Sequence, residues 1–191
     1  NGKSTFFNTI YGVLGTYAGT IDSNVLTTDR QNRGAALATL RGKRLVIAAE
    51  LEEHQRLSTS TLKKLASTDN LTIEEKYRSP EDIVPSHTLV LFTNHLPRVG
   101  STDDGTWRRI IVVPFNAVIP EGTGVQNMSD LLVEEAGPAV LSWIIQGAVD
   151  FTLSGFKLTF PDAVAMATEE YRSRENWLER FISERCIREP N

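Results

Sequence analysis

Apolar residues recur at Phe6, Phe7, Ile10, Val13 and Leu14, the three-to-four-residue spacing of a helix that buries one face, and Gly15 is placed to end it. The period then changes. Tyr17–Ile21 reads as a short extended piece, Arg33–Leu40 as an alanine-rich helix ended by Arg41-Gly42, and Arg44–Ala49 as an unbroken apolar run of the kind that forms a strand buried on both faces. Thr59–Ala66 predicts a helix. Asn70–Pro85 is polar, carries Pro80 and Pro85, and predicts a hairpin or extended loop. Thr88–Thr93 and Arg109–Phe115 read as two further buried strands. Buried strands alternating with helices predict an α/β fold with a mainly parallel sheet covered by helices. After Pro120 the texture shifts to a Gly-containing linker at Glu121–Asn127 and then to helices over Ser129–Glu135, Gly137–Leu153 and Pro161–Ile187. A boundary near 118–127 divides the chain into a core at 1–120 and a small C-terminal helical region at 121–191. Trp143, Trp177 and Phe181 fall at helical spacings and are assigned to the core.

Composition narrows the class. With 191 residues, 40% hydrophobic and 23% charged, the chain is an ordinary globular sequence with enough material for a real core. The longest apolar stretches, such as Ile110–Val113, are far short of the ~20 residues of a membrane helix, so no membrane partner is expected. A net charge of −4 argues against a surface that binds nucleic acid everywhere, though not against a ring that grips DNA through one loop. The single cysteine, Cys186, allows no internal disulfide and makes a reducing cytoplasm the default. His54, His87 and His95 show no metal-ligand pattern. Glu169–Glu189 mixes both charge signs closely and reads as a solvated helix face.

Four short motifs carry candidate chemistry. Asn1-Gly2-Lys3-Ser4-Thr5 stands directly before the first amphipathic helix and matches the second half of a phosphate-binding loop. There Gly2 lets backbone approach a phosphate, Lys3 sets a cation against the β- and γ-phosphates, the Ser4 hydroxyl ligates Mg²⁺, and the helix N-terminus offers free N–H groups. The chain opens inside this motif, which suggests a piece of a longer protein lacking its first strand. Arg44–Ala49 ends in Glu50, and ligands of parallel sheets sit at the carboxyl ends of strands. A glutamate there can polarise a water for attack on a γ-phosphate. Position 49 is alanine, so the metal can be held by Glu50, by Glu52 or through water. Thr88–Thr93 ends in Asn94, an amide that can bond the γ-phosphate or orient the water; the plainer reading is an Asx-turn before Pro97. Arg108 and Arg109 precede the last apolar run, where one of them can reach a phosphate on a neighbouring subunit; the plainer reading is an ion pair with Asp103 or Asp104.

These motifs, together with Gly42-Lys43-Arg44, Lys63 through Asp69, Thr93-Asn94-His95-Leu96-Pro97, and Thr106-Trp107-Arg108-Arg109 through Pro114-Phe115, resemble the superfamily-three helicase domain of phage and plasmid primase–helicases. The likeness extends to the tail, Glu170-Tyr171-Arg172 through Phe181. It implies an AAA+-like P-loop ATPase core, a homo-oligomeric ring, usually a hexamer, and ATP hydrolysis with Mg²⁺ coupled to movement on single-stranded or forked DNA. It also implies a phage or prophage protein acting in the cytoplasm of a bacterial host during replication. On this resemblance the phosphate loop falls on Asn1, Gly2, Lys3, Ser4 and Thr5, the catalytic carboxylate on Glu50, the polar sensor on Asn94 and the arginine finger on Arg109, with Arg108 the lesser candidate. A DNA-contacting hairpin falls on Lys76, Tyr77 and Arg78, although Ser67-Thr68-Asp69 stands where many relatives have Gly-Gly-Asp. No cluster of acids or zinc ligands suitable for primer synthesis is present in the sequence. Two other readings stand beside this one: an AAA+ ATPase that remodels or loads proteins without unwinding, and an oligomerisation module with an inactive ATP site.

Overall fold

The computed structural model describes residues 1–27, 33–73, 79–176, 181–182 and 185–186, with the backbone alone at 33–35. The first helix, α1 (Lys3–Leu14), forms where the periodicity places it, and Gly15 ends it at φ 52°, a positive angle that glycine adopts without steric cost. It leads into β1 (Ala18–Ile21). After α2 (Arg33–Ala38) come β2 (Leu45–Ala49) and α3 (Thr59–Leu65), then the antiparallel pair β3 (Leu71–Ile73) and β4 (Glu81–Ile83), and β5 (Thr88–Phe92). A short turn of helix, α4 (Asp104–Trp107), precedes two long helices, α5 (Met128–Leu153) and α6 (Asp162–Glu175).

Strands β1, β2 and β5 make a parallel sheet in that order, with Ala18 opposite Leu45 and Leu45 opposite Thr88. The central strand explains why its sequence is continuously apolar. Side chains alternate across a strand, and those of β2 feed two separate cores. Val46 and Ala48 are fully buried with Leu26, Leu40, Leu65, Trp107 and Tyr171, whereas Leu45 and Ile47 pack with Ala18 against Phe7, Ile10 and Leu14 of α1. On its other side α1 meets α5. A Cβ on Gly12 would come within 2.7 Å of Val133 Cγ2, so glycine is required for the two helices to approach this closely.

The structure corrects several expectations. Residues 109–115 do not form a strand. A strand needs a ladder partner, and the described sheet offers none beside this segment. Instead Val112 N–H donates to Thr168 Oγ1 at 3.0 Å. The run is extended and half-covered, with Ile110 and Val112 against the core and Ile111 and Val113 in solvent. For a related reason β5, at the edge of the described sheet, is only half-buried. The two helices expected on either side of Ala136 are one, and Pro138 lies inside it. Only the stripe Ser129, Leu132, Val133, Ala136, Gly137, Val140 and Ile144 of α5 is partly covered. Trp143 is one residue off that stripe and is 60% exposed, although its edge meets Phe6; Phe181 is also exposed, and Trp177 lies outside the described residues. Finally, α6 is not simply a solvated face. Tyr171 is buried, meets Trp107 edge-on at 5.3 Å and donates to the Pro97 carbonyl, while Glu175 accepts from Val99 N at 2.7 Å and Gly100 N at 2.9 Å. Burial, and then the charge of Glu175, raise the Tyr171 hydroxyl well above the usual phenol range.

His87, just before β5, supplies a stability prediction. Both ring nitrogens are buried without a hydrogen-bond partner among the described residues, and burial holds the imidazole below its ordinary value of 6.5. The unfolded chain therefore takes a proton at a higher pH than the folded one. Stability is complete above pH 6.5 and falls as pH drops from there toward the folded value. Thermal melts between pH 7.5 and 5 are expected to show this loss, and His87→Leu, which fills the site without titrating, to flatten it. An equally steep decline in the variant would assign the effect to another group.

Candidate functional site

The carboxyl ends of β2 and β5 and the N-terminus of α1 converge on one cavity of about 160 Å³, lined by Asn1, Gly2, Lys3 and Ser4, by Glu50, and by Phe92, Thr93 and Asn94. Three segments far apart in sequence thus share one site. Thr5 is the next residue of α1 but is not among the cavity's lining.

Each side chain is set there by local backbone. Gly2 precedes α1 with φ 88°, a conformation that a side chain would strain even though nothing crowds its Cβ position. No side chain caps the helix, so the first-turn amides of Lys3, Ser4 and Thr5 are left for an anion, with the positive end of the helix dipole behind them. Lys3 forms no ion pair among the described residues. Glu50 sits just past β2 with φ 45°, a left-handed angle seldom found at a glutamate. Its N–H donates to Phe92 O at 3.2 Å, and its carbonyl accepts from Ser23 Oγ at 2.9 Å, which leaves the exposed carboxylate free to face the cavity. The turn after β5 is built by Thr93, whose hydroxyl donates to His95 O at 2.9 Å and accepts from His95 N at 3.3 Å. The Asx-turn expected of Asn94 is therefore not made, and its amide is unpaired among the described residues.

Oxygen donors from Ser4 and Glu50 on one cavity suit Mg²⁺, which keeps several waters and takes few protein ligands beside phosphate oxygens. Among the described residues no three His, Cys, Asp or Glu gather as a metal cluster. A larger cavity of about 580 Å³ adjoins the first across Phe92, between Asn8 and Tyr11 of α1 and the strand-end residues Thr20, Ala49, Asp22 and Ser23.

The arginines lie elsewhere. Arg109 is half-buried, and its guanidinium donates to Ala66 O at 3.2 Å and Gly105 O at 2.5 Å of its own chain. Arg108 is exposed, and its side chain has no partner among the described residues. The ion pairs considered for these arginines go to other cations: Asp103 pairs with Lys63 at 2.8 Å and Asp104 with Arg172. Asp103 also caps α4 through Thr106 N, and the bonds from Lys63, Thr106 and Ser101 hold its carboxyl well below the usual range. Lys76, Tyr77 and Arg78 lie outside the described residues. Phe92 and Thr93 also line the cavity; the sequence places them at the end of an apolar run but carries no signal that gives them a role.

Fold and site together define a mixed α/β protein with an anion-ready helix N-terminus, an acid and an amide at the carboxyl edge of a parallel sheet. Residues 1–109 match a family described as "Family of unknown function (DUF5906)", and the chain belongs to that family. It is 27% identical over 212 residues to "Putative helicase L207/L206" of Acanthamoeba polyphaga mimivirus and 24% identical over 218 residues to "Putative helicase 184R" of Invertebrate iridescent virus 6, with 100% and 97% of the chain covered. It is also similar, at 25% identity over 209 residues and 100% of the chain, to "Putative primase C962R" of African swine fever virus, strain Badajoz 1971 Vero-adapted. The chain spans about 22% of the length of each of these relatives. Two of these relatives are thus named as putative helicases and one as a putative primase. No helix among the described residues is long and apolar enough to cross a membrane.

Proposed function

We propose that the chain is the ATPase domain of a replicative DNA helicase, coupling hydrolysis to movement along single-stranded DNA. One observation carries the reading: Lys3 and Ser4, Glu50, and Asn94 line the same small cavity at the strand ends. In that arrangement Lys3 and the first-turn amides of α1 bind the phosphates. Ser4, with Glu50, Glu52 or an intervening water, would hold a Mg²⁺ ion, which would supply neutralisation of phosphate charge. Glu50 accepts a proton from the attacking water, and the unpaired Asn94 amide orients that water or the γ-phosphate. Lys76, Tyr77 and Arg78 are the proposed DNA contacts, and assembly is as a ring, with an arginine of one subunit reaching the site of the next.

The test is the ATPase rate of the full-length gene product with and without single-stranded DNA. Stimulation by the strand, lost as salt rises, is the expected result. Hydrolysis indifferent to DNA would favour a remodelling ATPase, and absence of both nucleotide binding and hydrolysis would favour an oligomerisation module.

A further inference from the structure

We infer that Ser23 is a positioning residue for Glu50: its hydroxyl fixes the strained backbone from which the carboxylate reaches the phosphate cavity. This rests on the proposed role of Glu50. Glu50 has φ 45°, and a glutamate leaves the left-handed region unless its surroundings hold it there. Two bonds do so. The Glu50 N–H is tied to the Phe92 carbonyl of β5, and the Glu50 carbonyl accepts the Ser23 hydroxyl at 2.9 Å. The first tie is sheet-like and survives any side-chain change; the second depends on one side chain. Ser23 is only 9% exposed, and it stands where Asp22 caps the turn after β1 by accepting from Asn24 N at 2.8 Å. The donor is therefore itself held in place, and it bridges the ends of β1 and β2.

Without the hydroxyl, the Glu50 carbonyl loses a buried-side partner and the peptide after β2 is free to leave its left-handed angle. The carboxylate then swings relative to Ser4 and Asn94, while Gly2, Lys3 and the α1 amides stay where they are. Phosphate binding should persist and turnover should suffer, because a displacement of about 1 Å in a catalytic group can cost on the order of 100-fold.

The experiment compares Ser23→Ala, Ser23→Thr and Glu50→Gln in the full-length gene product, with steady-state ATPase, nucleotide affinity and thermal melting. The expected result for Ser23→Ala is a kcat lower by about 10- to 100-fold with KM within about twofold. Ser23→Thr, which keeps the hydroxyl, should recover most of the rate. Ser23→Ala combined with Glu50→Gln should be no slower than Glu50→Gln alone. If Ser23→Ala does not fold, Ser23→Cys keeps the volume with a weak donor and is read in the same way. An unchanged kcat in a folded variant lacking the hydroxyl, while Glu50→Gln is inactive, overturns the role of Ser23 and leaves that of Glu50 standing. Full activity in Glu50→Gln overturns the reading on which both rest.

Discussion

Glu50→Gln is expected to bind nucleotide as the parent does and to hydrolyse it about 10²–10⁴-fold more slowly, the range that a positioned general base contributes. The substitution keeps the shape of the side chain and both backbone ties, to Phe92 and Ser23, so the site geometry is retained while the proton acceptor is removed. Lys3→Ala should behave differently, weakening binding itself, because Lys3 lies in the cavity with the helix amides and no ion pair among the described residues competes for it. Equilibrium binding of a fluorescent ATP analogue, set against single-turnover hydrolysis, separates the two. Wild-type hydrolysis by Glu50→Gln would remove Glu50 from the chemistry and direct attention to Glu52.

The two arginines differ in their surroundings within the chain, and this gives a prediction for each. Arg109 donates to two carbonyls of its own chain and ties α4 to the end of α3, whereas Arg108 is exposed and unpaired among the described residues. If a ring forms, Arg108→Ala should leave melting and nucleotide affinity near normal while hydrolysis falls by about 10³-fold. Arg109→Ala should instead lower stability by about 1–3 kcal/mol, the loss of two charge-assisted bonds. The decisive version mixes an Arg108→Ala protein with a Lys3→Ala protein. Interfaces pairing an intact lysine with an intact arginine should restore part of the activity. A 10³-fold loss in Arg109→Ala with unchanged melting would return the role to Arg109, and failure of mixing to restore any activity in intact rings would exclude Arg108 from acting across subunits.

Much of the site was legible because its signals are local. A glycine before a helix, a lysine and serine in its first turn, and polar residues ending apolar runs each express strand-end and helix-end chemistry within a few residues. The convergence of Lys3, Glu50 and Asn94 follows from the parallel order of β2 and β5, itself suggested by alternating elements. The same local logic failed at 109–115. An apolar run can be read from sequence, but whether it becomes a strand depends on a neighbour to bond, and the segment instead finds Thr168.

By itself, then, the sequence determined α1 and its glycine stop, the doubly buried β2 and the identities of the residues that gather at the strand ends, since burial period and backbone preference act over a turn or two of chain. Only the tertiary structure decided which partners those residues take. Asp103 chose Lys63 and Asp104 chose Arg172 over the adjacent arginines, Arg109 turned inward to Ala66 and Gly105, α5 ran unbroken through Pro138 against α1, and Ser23 came to hold Glu50. These choices depend on which groups folding brings within about 3 Å of one another, and, apart from Arg109 with Gly105, the bonded residues lie 27 to 68 positions apart, too far for a local pattern to show them.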